Sequence, residues 1–278
     1  MAGTLFVVAT PIGHLDDITL RALRVLREVA IVAAEDTRRT GNLLRHFGIP
    51  TRLISLHAHN EHTRSARLLD LLSQGQSIAL VSDAGTPGIS DPGAGLVGLA
   101  RSRGFRIEPI PGPSAVAAAM SVSGLDGTFA FMGFPPSRAK DRIAWISRCQ
   151  RVSNELAIVF FEAPHRIRRT LDQLNYLGEQ PIFIFRELTK VHEETLVGTT
   201  AELLATLTEP QGEFTVVIPR ASAQESAQQT IDKQLILNEF GHLTTKLSAS
   251  RRAVAREVGR KFGLSTRQIY ELTKDQAG

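Results

Sequence analysis

The sequence predicts an α/β protein made of two α/β domains followed by a helical extension. Three observations predict it. Residues 4–122 alternate short apolar runs with amphipathic segments, the pattern of an open sheet flanked by helices. A second alternation follows the turn-rich stretch Gly124-Leu125-Asp126-Gly127. Around Ala221–Gln229 the composition turns small and polar, and only helical patterns lie beyond it. These breaks divide the chain into residues 1–124, 125–221 and 222–278.

In the first segment, strands are expected at Thr4–Ala9, Ile31–Ala34, Leu53–Leu56, Ser77–Val81 and Phe105–Ile110, each an apolar run too short for a helix. Between them, Ile18, Ala22, Val25, Leu26 and Val29 recur on one helical face, with Asp16 or Asp17 as cap. Further helices are expected at Asn42–Phe47, ended by Gly48, and at Glu61–Leu72, Gly95–Arg103 and Ser114–Val122. In the second segment, strands are expected at Phe129–Met132, Ala157–Phe161, Ile182–Phe185 and Thr215–Ile218. Its helices are expected at Arg138–Arg148, His165–Tyr176 and Thr200–Leu207. The extension reads as helices near Ile231–Phe240, Ala249–Phe262 and Thr266–Leu272. The last two are joined by Gly263-Leu264-Ser265 in the manner of a helix-turn-helix.

The 278 residues are 42% hydrophobic and 22% charged, ordinary for a globular protein. No apolar stretch is long enough to cross a bilayer, and the first residues enter a strand pattern without a basic leader. Cys149 is the only cysteine, which excludes an internal disulfide and points to a reducing, cytoplasmic setting. The net charge of +4 is unevenly placed. From Leu243 to Lys274, eight basic residues, among them Arg251, Arg252, Arg256 and Lys261, face only Glu257 and Glu271. Such a tail points to a polyanion such as RNA; a solvated helical surface is the alternative.

Three Gly/Pro-rich loops fall at the carboxyl ends of expected strands, where open α/β sheets bind ligands. They are Thr10-Pro11-Ile12-Gly13, the stretch from Asp83-Ala84-Gly85-Thr86-Pro87 through Ile89 to Gly93, and Pro111-Gly112-Pro113-Ser114-Ala115. Gly93-Ala94-Gly95-Leu96-Val97-Gly98 matches a dinucleotide fingerprint in letters only. It begins well after its strand, and no acidic residue follows at the ribose-binding distance. His57-Ala58-His59-Asn60-Glu61-His62 has the residue types of a zinc site but no nearby cysteine, and polar substrate contacts are the favoured reading, with no metal. Glu35-Asp36-Thr37-Arg38-Arg39 sets carboxylates beside arginines. That suits proton transfer or phosphate binding, and equally a capped, salt-bridged helix start.

Taken in order, these loops and motifs, with Phe161-Glu162-Ala163-Pro164-His165-Arg166, Arg186-Glu187-Leu188-Thr189-Lys190 and Gly212-Glu213-Phe214, resemble the tetrapyrrole (class III) methylase superfamily, and within it the methyltransferases of small-subunit ribosomal RNA. The resemblance runs from about residue 4 to 220. It implies the class III fold, with S-adenosyl-L-methionine in a cleft between two α/β domains, and a homodimer. It implies 2′-O-methylation of cytidine 1402 of 16S rRNA in the small ribosomal subunit. Carried over by position, it implies donor contacts from Pro11, Asp83, Ala84, Gly85, Thr86, Ile89, Ser114 and Ala115, and from Phe161, Leu188, Phe214 and Thr215 of the second domain. Many members of the superfamily read Gly-Asp-Pro where this chain has Gly85-Thr86-Pro87, so this loop is expected to hold the donor mainly by its backbone. Glu35, Asp36 and His57, which follow strands on the ligand edge, are candidate bases; Arg38, Arg166 and Lys190 are candidate phosphate ligands. The competing readings are a precorrin-type tetrapyrrole methylase and a non-catalytic RNA-binding protein.

Overall fold

A computed structural model of the chain describes residues 2–221, 235–244, 251–262 and 266–273. It forms two compact units, Met1–Arg220 and Ala221–Gly278.

The first unit contains two five-stranded sheets. The first sheet is wholly parallel, in the order β3-β2-β4-β1-β5, from β1 (Thr4–Val8), β2 (Ile31–Ala34), β3 (Leu53–Ser55), β4 (Ile78–Val81) and β5 (Arg106–Ile110). Its central strands are apolar on both faces because helices cover both. Val8, Val32, Ala79 and Val81 meet α1 (Leu20–Glu28) and α2 (Thr37–His46), whose Val25, Leu26, Leu43 and Leu44 fill one layer. Leu5, Ala33, Ile78 and Leu80 point the other way, to α3 (Glu61–Ser73) and α4 (Ala94–Ser102). The helices that follow β1 and β2 therefore lie on the opposite face from the one that follows β4, which pairs with both. That divergence opens a crevice at the carboxyl end of β4.

After β5 the chain enters α5 (Ala115–Ser123), whose Ala119, Val116 and Met120 pack against the second sheet, on Val159, Phe185 and Val217. That sheet has the order β6-β7-β10-β8-β9, from β6 (Phe129–Phe131), β7 (Ala157–Glu162), β8 (Ile182–Arg186), β9 (Glu194–Gly198) and β10 (Phe214–Ile218). Only β6 and β7 pair in parallel; the other pairs are antiparallel. Its second face packs on α6 (Ala139–Ser153), α7 (Pro164–Gln173) and α8 (Thr200–Thr206) through Trp145, Phe160, Leu171, Leu203 and Phe214. Cys149 lies in this layer, where burial pushes its thiol up to about 12 and leaves it inert.

Several expectations are corrected. The edge strand β9 was not foreseen: only Leu196 packs on the core, Val197 is exposed, and the strand is held by its ladder to β8. α2 begins at Thr37, not Asn42, because the Asp36 side chain accepts from Arg38 N and caps a polar first turn. Thr19, accepting from Ala22 N, caps α1; Asp16 and Asp17 lie in a 3₁₀ turn before it. α6 runs on to Ser153 because Trp145, Cys149 and Ser153 keep one buried face.

In the second unit, α9 (235–244), α10 (Arg251–Phe262) and α11 (Thr266–Leu272) share a core of Ile236, Phe240, Val254, Val258 and Ile269. The expected helix start at Ile231 and the Gly263–Ser265 turn lie outside the described residues.

Candidate active site

The loops after β1 and β4 are joined across the crevice. Thr10 and Gly85 exchange backbone hydrogen bonds of 2.9 and 3.0 Å as an isolated antiparallel bridge, and Thr10 Oγ1 donates to Ser82 O. Gly85 therefore spends both its backbone groups inside the protein, which leaves it only its missing side chain to offer a ligand. At φ +76° it takes a backbone that glycine adopts without strain. The rest of the loop is twisted as well: Ser90 is a non-glycine residue at φ +68°, and its hydroxyl approaches Gly133 of the second half. Backbone strain of this kind concentrates at functional sites. The third loop closes against the first, since a side chain on Gly112 would meet Ala9 Cβ at 3.1 Å. Ser114 caps α5 by accepting from Ala117 N.

The second half contributes a strap, Glu187–Lys190, with Glu187 at φ +52° and Thr189 at φ +64°. Thr189 Oγ1 accepts from His14 N at 3.1 Å, and Leu188 O and the Lys190 stem lie directly on Gly13. Glu187 accepts from Glu213 N and from Lys190 Nζ, and Lys190 also pairs with Glu213 at 3.0 Å. The strap brings Leu188 beside the β1 loop. Of the expected donor residues in this half, Phe161 and Thr215 pair across β7 and β10 and lie on the face that carries α5. Phe214 is the correction. The period of two turns its side chain into the opposite layer, 2% exposed beside Trp145 and Phe160.

The carboxylates divide by surroundings. Asp36 is held down to about 2 by the Arg38 side chain and backbone, so it is a cap and ion-pair partner and a poor proton acceptor at neutral pH. Asp83 is also occupied: it accepts from Asp36 N at 2.9 Å and pairs with Arg39 at 3.6 Å. Glu35 is raised above the usual carboxylate range, first by burial and then by Asp83. Asp91, which sequence reasoning did not single out, is pushed up to about 6 by burial and by Glu35, with the Ser82 hydroxyl pulling the other way. A carboxyl in a twisted loop gives no sequence sign of its burial. In the third motif, Asn60 does not cap α3. Its amide accepts from His57 N and donates to His57 Nε2 at 3.1 Å, which leaves that nitrogen already engaged. Glu61 caps α4 by accepting from Leu96 N.

A cavity of about 370 Å³ opens beside the bridge, between the β1 and β4 loops, α2, Lys190 and Glu213. Arg39, Asn42, Leu43 and His46, one face of α2, form its wall. Only Pro11, Asp83 and Ala84 of the expected donor residues line it.

Among the expected phosphate ligands, Arg38 is exposed but pairs with Asp36. Arg166 is a correction: it pairs with the buried Glu162 at 2.8 Å and donates to Pro135 O. Glu162 also binds Arg142, a wholly buried guanidinium that reaches Gln173, Pro136 O and Thr170. This network fixes the loop after β6. In the second unit, Arg251 donates to Thr273 O and lies over the Phe240 ring at 5.7 Å, a packing role. Lys261 pairs with Glu239. Arg252 and Arg256 are exposed on α10.

Comparison with known proteins places this arrangement. The family model of the tetrapyrrole (corrin/porphyrin) methylases matches residues 4–204, from the start of β1 into α8, which takes in the whole first sheet and every strand of the second except β10. The chain belongs to the tetrapyrrole methylase family. Its relatives include proteins named ribosomal RNA small subunit methyltransferase I. The one from Synechocystis is 42% identical over 98% of this chain and 97% of its own length. That from Escherichia coli O157:H7 is 39% identical over 99% and 96%, and that from Pseudomonas aeruginosa 50% identical over 73% and 72%. This tetrapyrrole methylase thus belongs to that branch. Solved structures share the family fold at lower identity. Uroporphyrin-III-C-methyltransferase from Thermus thermophilus has a TM-score of 0.55 at 22% identity, covering 79% of this chain and 93% of its own. Diphthine synthase has a TM-score of 0.61 at 16% identity, covering 81% and 93%.

The family's methyl donor fits the residues present. Ile89 is 49% exposed, and Phe161 and Leu188 are half-buried, so apolar surface is available on both sides. The first turn of α5 offers N–H groups that have no acceptor within the helix, of which Ser114 takes only that of Ala117.

Proposed function

We propose that this tetrapyrrole methylase is a cytoplasmic, homodimeric S-adenosylmethionine-dependent methyltransferase that methylates the ribose 2′-oxygen of cytidine 1402 in 16S rRNA of the small ribosomal subunit. The observation that carries the reading is the near full-length similarity to relatives named for small-subunit ribosomal RNA. The loops around the Thr10–Gly85 bridge support it, as does the excess of basic residues in the second unit.

When bound, S-adenosylmethionine supplies an electrophilic methyl group on a sulfonium. The chain's task is to hold, align and dehydrate. Thr86, Ile89, Ser114 and Ala115 would hold the donor from one side, and Phe161, Leu188 and Thr215 from the other. Gly85 shapes the cradle through its backbone conformation, and the strap on Gly13 keeps Leu188 in place. Orientation of this kind supplies roughly 7–11 kcal/mol of barrier reduction in favourable cases. A ribose hydroxyl must lose its proton as it attacks. Asp91, pushed up to about 6, is suited to accept it; Glu35, raised by burial and by Asp83, is the second candidate, and Asp36 is not one. Arg252 and Arg256 would meet RNA phosphates, and Lys190, held by two carboxylates, positions the strap.

The test is transfer of labelled methyl from S-adenosylmethionine to unmethylated 30S subunits, with the product nucleoside mapped. Label at the 2′-oxygen of that cytidine is expected. Label on no RNA, or on a tetrapyrrole in its place, overturns the reading.

A further inference from the structure

We infer that the cavity beside α2 receives the methyl-accepting nucleotide, drawn out of its RNA strand, with Arg39, Asn42 and His46 at its rim. This rests on the RNA-methylating reading above and gives the acceptor its place.

Position is the first argument. The cavity borrows Pro11, Asp83 and Ala84 from the donor loops but touches neither Thr86, Ser114 and Ala115 nor any expected donor residue of the second half. It is therefore a neighbouring compartment that shares one wall with the donor side. Donor and acceptor must be bound at once and meet at a shared boundary, and the loops joined by the Thr10–Gly85 bridge form one.

Size and chemistry are the second. At about 370 Å³ the cavity lies at the small end of ligand pockets, which run from roughly 300 to 1,000 Å³. That is room for one nucleoside. Ile12, Leu15 and Leu43 provide apolar surface for a base. Asn42 Oδ1 is taken by Arg45 at 2.9 Å, which turns the Asn42 amide N–H groups into the donors it can offer.

Charge is the third. α2 carries three arginines, one histidine and no acidic residue; Arg39 and His46 line the cavity together with Lys190, Asp83 and Glu213, while Arg38 pairs with Asp36. The Arg39 pair with Asp83 is long at 3.6 Å, and the Arg39 side chain is 65% exposed, so a phosphate can reach that guanidinium from solvent. A guanidinium at the rim of a pocket for one unstacked base suits the grip on a single RNA strand, phosphate outside and base within.

The experiment uses the full chain with 30S subunits. Asn42→Trp places an indole over the cavity mouth from an exposed position. It is expected to lower kcat/KM for methyl transfer by about tenfold or more while calorimetric S-adenosylmethionine affinity stays within about twofold. A photo-crosslinking residue at His46 is expected to label RNA at or next to the methylated nucleotide, a readout independent of turnover. N42W with wild-type kcat/KM, or a crosslink mapping far from the methylated nucleotide, overturns the inference. Loss of donor affinity in N42W also overturns it, because the cavity would then belong to the donor. A wild-type protein that methylates no RNA is a different result, which fails the proposed function itself.

Discussion

Gly13→Ala probes the contact between the two halves at a single methyl group. A Cβ at this position would stand 2.5 Å from Thr189 Oγ1, 2.6 Å from Lys190 Cγ and 2.8 Å from Leu188 O. Carbon contacts settle at about 3.5–4.0 Å, so the strap must retreat by roughly 1 Å. It has little room to adapt, because Glu187 and Thr189 already occupy positive φ and Glu187 is pinned by Glu213 N and Lys190. Overpacking costs about 1–3 kcal/mol, and loss of the His14 N to Thr189 Oγ1 bond adds about 1. The expected total is about 2–4 kcal/mol, each kcal/mol lowering Tm by about 2–4 °C in a protein of this size. Thermal and urea unfolding measure it. Gly98→Ala is the control: Gly98 lies exposed in α4 with nothing within 4 Å, and its replacement is expected to stabilise by about 0.5–1 kcal/mol. If G13A melts with the wild type while G98A gains stability, the strap does not press on Gly13 as described.

Three further outcomes are expected. Glu162→Ala leaves the buried Arg142 guanidinium without its carboxylate and destabilises by about 3–5 kcal/mol in urea unfolding; a loss comparable to a surface substitution would contradict the network. Asp91 holds its proton more tightly folded (about 6) than unfolded (3.8), so at this group the folded state binds more protons between those values, and the contribution of Asp91 to stability falls as pH rises through that window. Asp91→Asn should therefore raise Tm more at pH 7.5 than at pH 4, and an equal shift at both would refute it. Replacing Arg252 and Arg256 by Gln is expected to flatten the dependence of log RNA affinity on log salt by about 1.4, at roughly 0.7 per cation on single strands; an unchanged slope means that these side chains do not meet phosphate.

What the sequence disclosed followed from burial. The strands of the parallel sheet are covered on both faces, so Ile31–Ala34 and Ile78–Val81 stand out as apolar runs. β9 is an edge strand with one inward side chain, and its existence depends on hydrogen bonds that composition does not record. The Gly/Pro loops were legible as a site because they punctuate strand ends. Their internal use was not: Gly85 satisfies Thr10, Asp83 satisfies Asp36 N, and Asn60 satisfies His57, all partnerships between segments distant or turned in space. Arg38 and Arg39 were legible as a phosphate-binding pair or a salt-bridged helix start, but the full length of α2 was not, because its first turn is polar and its apolar periodicity is visible only from Asn42 onward. Arg166 and Arg251 show the limit of counting charge, since each is an arginine whose partner lies within the protein.

The seat of α5 has a consequence for how this molecule comes apart. By chain order the helix completes the first half, ending just before the Gly124–Gly127 turn, yet its small apolar face is part of the layer built on Val159, Phe185 and Val217. A cut at that turn would leave the second sheet with an uncovered greasy face and the amino-terminal fragment with a stray adhesive helix. The two sheets therefore share one cooperative melting event, and the halves of the catalytic cleft are inherited together or lost together.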